Sequence, residues 1–325
     1  MSLRYLKTIG IDGFVLALTG AILVAYIWPS PGIPESPLKL HKVAGYGVSL
    51  IFFFYGLKLS PIQLKQGLSN WQLHVVIQVI TFIVFPSLII LFRKLAGGSS
   101  ESLLWTGTFF MATLPSTVSS SVVMVSIANG NVPAAIFNAS LSSLLGIILT
   151  PLWMGLVVTA GAETPEIGES VLKLSFQVLL PVMLGVLLHP KFGSTANRNR
   201  DKLKIFDQSV ILLIVYVSFC ESFANKMFSG YSFVNIFLLC IAMTALFFLI
   251  YAVTSVVGKL LKFTKEDYIT ALFCGSKKSL VHGTVMAKVL FPGMAGLGVI
   301  LLPLMIFHTL QLVASSILAQ RFSRL

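Results

Sequence analysis

Residues Thr113–Ser121 read TLPSTVSSS, and residues Cys274–Gly283 read CGSKKSLVHG. Each stretch interrupts an apolar run with residues that such runs otherwise exclude. In the first, Pro115 removes a backbone donor and obstructs helical packing. The hydroxyls of Ser116, Thr117, Ser119, Ser120 and Ser121 can then satisfy freed carbonyls, or ligate an ion or solute. In the second, Lys277 and Lys278 stand side by side. A lysine at the centre of a membrane helix costs roughly 2.5–3.5 kcal/mol, so two adjacent ones need water or partners. Two plainer accounts fit the same letters: a proline kink whose hydroxyls bond back to their own helix, and a lysine pair at the water interface. The reading that joins both stretches is a pair of broken membrane helices.

Outward from these breaks, apolar runs of about 20 residues, enough to cross a hydrocarbon core of ~30 Å, recur along the whole chain. The predicted spans are 11–28, 41–57, 70–92, 102–127, 131–158, 171–188, 206–226, 232–258, 267–290 and 294–320. The breaks fall in the fourth and the ninth. The 325 residues are 56% hydrophobic and only 10% charged, with mean hydropathy +0.92. A soluble domain carries about one-quarter charged residues, so the expected fold is an all-α membrane protein with no room for a soluble domain. The fourth span starts after Glu101 and the ninth after Glu266; each passes its break, runs through a Val-Met pair (Val123-Met124, Val285-Met286) and leads into a long apolar helix. Five spans per half is odd, so the second half enters the membrane with opposite orientation. That gives two inverted repeats, residues 1–158 and 159–325, within one transmembrane domain, 1–325. Chance likeness between apolar helices is the competing explanation.

The net charge of +12 follows topology rather than a basic folded surface, and nucleic acid is not an expected partner. On these spans one side gathers Arg4, Lys7, Lys58, Lys65, Lys259, Lys262, Lys265, Arg321 and Arg324, together with the basic stretch Lys191–Lys204, read as a loop. The other holds Lys39, Lys42, Arg93, Lys94, Lys173 and Lys226, and the acidic loop Gly161–Ser170 with Glu163, Glu166 and Glu169. The positive-inside rule then places both termini in the cytoplasm of a plasma (inner) membrane. Met1–Thr8 shows no small-residue cleavage site, so the first apolar run is read as a retained helix. Cys220, Cys240 and Cys274 lie in apolar runs, without metal-site spacing, and are expected as free buried thiols.

Other intramembrane polar residues extend the candidate site. Asn138, Ser140, Ser142 and Ser143 give the fifth span a polar face beside the first break, although serines also permit close helix packing. If the helix continues through the second break, Lys278 and His282 share a face and Lys277 turns away by about 100°. One lysine would then meet a solute and the other a structural carbonyl. Gln78, and His308 with Gln311, read equally as interhelical hydrogen bonds; Glu221 is either a proton carrier or lysine partner, or an exposed carboxylate at a helix end. Asp12 and Asp207 lie near span starts, where helix N-termini favour acids. No phosphate-binding glycine-lysine loop, zinc-type His-Glu-x-x-His or clustered acidic pair occurs, so the chain is not read as an enzyme.

The stretches TLPSTVSSSVVMVSIANGNVPAAIFNASLSSLLGIILTPL (113–152) and FCGSKKSLVHGTVMAKVLF (273–291) resemble the bile acid:sodium symporter superfamily, in its SBF-like branch. With the span count, the resemblance covers essentially the entire chain. It implies a panel domain of helices one, two, six and seven, and a core domain whose broken fourth and ninth helices cross. Motion of the core against the panel then exposes the site alternately to the two sides. In sodium-coupled relatives the first crossing offers a Ser-Asn pair, matched here by Ser120 and Ser121, and the next helix offers hydroxyls where this chain has Ala135 and Ala139. Relatives carry Glu-x-Gly-Met-Gln-Asn-Ser at the second crossing. Matching Gly275 and Ser279 puts Phe273 at the glutamate, Lys277 at the glutamine and Lys278 at the asparagine. A unit charge about 4 Å from a bare cation repels it by roughly 4 kcal/mol at an effective dielectric of about 20, so the lysines oppose sodium.

The sequence therefore points to a secondary transporter of an organic, anionic and amphipathic solute by alternating access. No cofactor is expected, and the coupling ion is sodium or a proton. One lysine is expected to act as a fixed cation in place of sodium, with proton coupling through Lys278 or His282. The alternative is a non-transporting membrane regulator of ion homeostasis on the same fold. Surrounding lipids are the remaining expected partners, and the oligomeric state is open.

Overall fold

The computed structural model describes residues 13–58, 70–96, 102–158 and 167–324, with backbone alone at 96, 158 and 167–179. Arg4, Lys7, Asp12, Lys65, Glu101, Glu163 and Glu166 lie outside the described residues, as do the side chains of Glu169 and Lys173, and with them much of the expected charge asymmetry. Among the described residues there is no strand. The helices are α1 (Gly13–Ile27), α2 (Leu40–Lys58), α3 (Trp71–Val79), α4 (Phe85–Ala96), α5 (Leu103–Thr113), α6 (Ser119–Ile127) and α7 (Val132–Val158). They continue with α8 (Ile167–Arg198), α9 (Arg200–Ala224), α10 (Phe233–Leu260), α11 (Lys265–Gly275), α12 (Leu280–Leu290) and α13 (Leu297–Phe322). An all-helical answer follows from composition, because a helix satisfies its own backbone where the surroundings cannot. Six helical stretches are long and apolar enough to cross a membrane: Leu40–Lys58, Trp71–Leu95, Val132–Val157, Arg200–Ala224, Phe233–Leu260 and Leu297–Phe322.

The basic stretch Lys191–Lys204 is not a loop. α8 runs through Arg198 and α9 begins at Arg200, with Asn199 as the only break. Gly193 and Ala196 are buried three residues apart, so the inward stripe of the helix continues past its apolar part, and the His189 ring bonds the Leu57 carbonyl at 2.8 Å. Cys240 departs from expectation as well: it is half-buried, whereas Cys220 and Cys274 are buried, and all three are free thiols.

Four helices form one packed group, with α8 along α2, α9 along α1, and α9 against α2. Gly56 and Gly185 let α2 and α8 touch backbone to backbone: a Cβ at Gly56 would overlap the Val182 carbonyl, and one at Gly185 the Phe53 carbonyl. Backbone atoms cannot swing aside as a side chain can. We expect Gly56→Ala to cost about 1–3 kcal/mol, read as a lower thermal unfolding midpoint of the detergent-solubilised protein; an unchanged midpoint would show that the two helices can part freely.

The remaining helices surround the two breaks. At one end of this group the starts of α3, α7 and α11 meet at a single carboxylate. Asn70 Nδ2 donates to Asp267 Oδ2 at 2.6 Å and Asn131 Nδ2 to Asp267 Oδ1 at 2.8 Å. The same two asparagines use their Oδ1 atoms to accept from Leu73 and Ala134 N–H groups in the first turns of α3 and α7. Three positive helix ends around one anion are mutually stabilising. Asp267→Ala is expected to cost about 1.5–3 kcal/mol, measured by the same thermal assay.

Candidate functional site

The helix of the third span does not run straight past the breaks. Residues Ile80–Val84 form a π turn in which the Phe85 N–H donates to the Ile80 carbonyl. The Thr81 carbonyl loses its α-helical donor to that bond, and its π-helical donor would be residue 86, a proline with no N–H. Pro86 likewise deprives the Phe82 carbonyl of its α-helical donor. Trp153 repairs that loss, donating from Nε1 at 2.7 Å. Thr81 is repaired by Lys278.

Both predicted breaks are present. α5 stops at Thr113 and α6 starts at Ser119; α11 stops at Gly275 and α12 starts at Ser279's cap. Pro115 and the extended residue Leu114 end the first helix, and the Ser279 hydroxyl, accepting from His282 N–H, starts the last. The unwound segments meet, and each satisfies the backbone of the other. Ser279 N–H donates to the Pro115 carbonyl at 2.9 Å, Ser116 Oγ to the Cys274 carbonyl at 2.6 Å, and Ser121 Oγ to the Phe273 carbonyl at 3.1 Å. α7 holds the first segment from behind: Ser142 Oγ accepts from Ser116 N–H at 2.9 Å, and Thr150 Oγ1 donates to the Thr113 carbonyl at 2.8 Å. Gln311 of α13 clamps the second segment, accepting from Lys278 N–H at 2.8 Å and donating to the Lys278 carbonyl at 2.7 Å. Hydroxyls and one amide thus replace the missing helical bonds.

Both lysines are wholly buried within the protein. Their environments differ. Lys278 Nζ donates to three carbonyls, Thr81 at 2.7 Å, Ala112 at 2.6 Å and Leu114 at 2.9 Å, with the Phe85 ring centroid at 4.2 Å. Lys277 Nζ donates once, to the Ser120 carbonyl at 3.1 Å, and lies 5.4 Å from the Phe273 ring centroid. That places the Lys277 amine at the first turn of α6. Around it Ser120 Oγ donates to Thr117 Oγ1 at 2.8 Å, and Thr117 and Ser121 share a hydroxyl contact of 2.7 Å. Ser119 is exposed and Ser120 half-buried, so this turn opens outward while the amine behind it is buried.

Other candidate residues fall elsewhere. The helix does not continue through Lys278, so Lys278 and His282 share no helical face; the His282 ring instead bonds Ser279 Oγ at 2.9 Å and stands edge-on to Tyr55 of α2 at 5.4 Å. Asn138 is not among the contacts between the two breaks. Its side chain ties α7 to α3 through His74 Nδ1 at 2.7 Å and Gln78 Nε2 at 3.1 Å. Gly275 is not required by packing, since an added Cβ would meet its nearest neighbours at 3.6 Å. Glu221 is buried rather than exposed. The sequence signals for the lysine cradle are Pro86 within the third span and Gln311 in the tenth; the first is hard to read from the letters because its effect appears only at Thr81, five residues earlier.

The carbonyls of Thr81, Ala112, Leu114 and Ser120 are engaged by lysine nitrogens, and Ala135 and Ala139 offer no hydroxyl. Among the described residues, no group of three His, Cys, Asp or Glu side chains is placed to hold a metal ion.

Comparison with known proteins agrees with a membrane carrier. PA2026 of Pseudomonas aeruginosa is 38% identical over 96% of this chain and 93% of its own length. YfeH of Escherichia coli (strain K12) is 36% identical over 97% of this chain and 93% of its own. Sodium/bile acid cotransporter 7 of Rattus norvegicus is 31% identical over 97% and 94%. The description of the SBF-like CPA transporter family matches residues 12–324, and the chain belongs to that family.

Proposed function

We propose that this protein moves an organic, amphipathic anion across the plasma (inner) membrane by alternating access, with both termini cytoplasmic and without bound sodium at the crossing. The observation that carries the reading is the division of labour between two adjacent buried lysines at crossed helix breaks. Lys278 is saturated by carbonyls, whereas Lys277 uses one of its hydrogens and stands at a helix start. The N–H groups of Ser119, Ser120 and Ser121 precede the first helical bond of α6, from Val122 N–H to the Val118 carbonyl, and with the Lys277 amine they form a set of donors suited to a carboxylate or similar group. Pro115, Ser116, Ser121, Ser142, Gly275 and Ser279 shape the crossing that carries this set. On this reading the ten spans form two inverted repeats, 1–158 and 159–325. The group α1, α2, α8 and α9 is the panel, and the helices around the breaks are the core that moves against it. The apolar cleft of about 380 Å³ between α7 and α8, lined by Leu144, Ile148, Val182 and Val186, lies between those two groups and suits an apolar body.

The test is uptake by purified protein in liposomes, with a panel of labelled organic anions and separately imposed sodium and proton gradients. Accumulation is expected to follow the proton gradient, or to proceed by exchange, and to persist when sodium is replaced by a large organic cation. Strict dependence on sodium would overturn the coupling; no accumulation of any anion would favour the membrane regulator.

A further inference from the structure

The Lys278 cradle has the donor requirements of a cation site. A lysine ammonium carries three hydrogens and no acceptor, and here three separate carbonyls lie at 2.6–2.9 Å, so each hydrogen has one partner. A neutral amine has only two hydrogens and would leave one buried carbonyl unpaired. The Phe85 face, 4.2 Å from the nitrogen, adds the negative side of a ring quadrupole. The three oxygens come from two different parts of the chain, the π turn after α3 and the end of α5, and neither part depends on Lys278 alone for its position. Trp153 holds the π turn at Phe82, Thr150 and Ser142 hold the end of α5 and the segment after it, and Gln311 holds the Lys278 backbone by both its N–H and its carbonyl.

We infer that the Thr81, Ala112 and Leu114 carbonyls form a binding site for a primary ammonium, whose resident ligand is the tethered Lys278 side chain and which accepts a free primary alkylammonium once the tether is cut. The ligand class follows from the geometry: three N–H donors directed at three oxygens, one alkyl substituent pointing back along the lysine stem, and an aromatic face beside the charge. Lys278→Ala removes Cγ through Nζ, which as a free molecule is n-propylammonium. The inference stands independently of transport, because its readout is stability.

In the full-length detergent-solubilised protein, K278A is expected to unfold at a lower temperature than the wild type. n-Propylammonium should raise its midpoint saturably, by roughly 3–5 °C at a concentration about 100-fold above its Kd, and leave the wild type unmoved. n-Propanol has the same length without the charge, and tetramethylammonium has the charge without N–H donors; neither should reproduce the shift. Equal shifts with either control, an equal shift in the wild type, or no shift in K278A would overturn the inference. If K278A is lost during extraction, the extraction is repeated with n-propylammonium present throughout. Recovery of monodisperse protein only under that condition supports the site, and loss under both conditions refutes it.

Discussion

Lys278→Met is expected to lower stability by about 3 kcal/mol, the balance of three orphaned carbonyls against the relief of removing a buried charge. Methionine keeps the length and flexibility of the stem, so the change isolates the ammonium. Three buried carbonyls lose their donor, and each unsatisfied group costs about 1–3 kcal/mol. Against this, the substitution relieves the expense of holding a charge within the membrane, roughly 2.5–3.5 kcal/mol. Three orphaned acceptors outweigh that relief, and the lost contact with the Phe85 ring adds to the deficit. Lys277→Met should behave differently. It takes a second donor from the half-buried Ser120 carbonyl, whose α-helical donor, Met124 N–H, lies within α6, so the loss is small. Thermal unfolding of the two variants side by side measures the contrast, and equal midpoints for K278M and wild type would sink the assignment of Lys278 to the three-carbonyl cradle.

The breaks themselves are legible in the sequence, because Pro115, the hydroxyl run after it and a lysine pair have few ways to sit inside apolar runs. Most helix bounds lie within a few residues of the predicted spans for the same reason, α8 excepted, which runs ten residues past 188: apolar length is written in the letters. What each lysine does is not written there. It depends on Pro86 orphaning the Thr81 carbonyl far from residue 278 in the chain, and on Gln311 fixing the Lys278 backbone so that the side chain turns toward the end of α5. Helical periodicity misleads at this point, since it assumes a helix where Ser276–Lys278 is unwound, and so it pairs Lys278 with His282. Asn138 misleads for another reason. A polar residue on the right helix beside the right break has two faces available, and the pairing with His74 and Gln78 across to α3 is a tertiary fact. The Lys191–Lys204 stretch carries charge that suggests a loop, yet charge outside the apolar layer is compatible with a helix that simply continues.

Lys277→Met is expected to leave folding nearly intact while raising the half-saturating concentration of a transported anion about 10- to 100-fold. A unit charge about 4 Å from the anion contributes roughly 4 kcal/mol at an effective dielectric of about 20, and part of that is offset by desolvating the anion. A remainder of about 1.4–2.8 kcal/mol corresponds to one to two factors of ten. The loss should fall on affinity because Lys277 has no other strong attachment: its single bond to the Ser120 carbonyl can be exchanged for a bond to the solute, whereas Lys278 has no hydrogen left to offer. Lys277→Arg keeps the charge and the donors and should retain anion dependence, although its planar head fits the turn differently. Initial uptake rates in liposomes across a concentration series, for wild type, K277M and K277R, separate affinity from turnover. Half-saturation unchanged in K277M would mean that the anion binds away from this amine. Lys277 would then be a second structural lysine, and the start of α6 would have to hold the solute through its N–H groups alone.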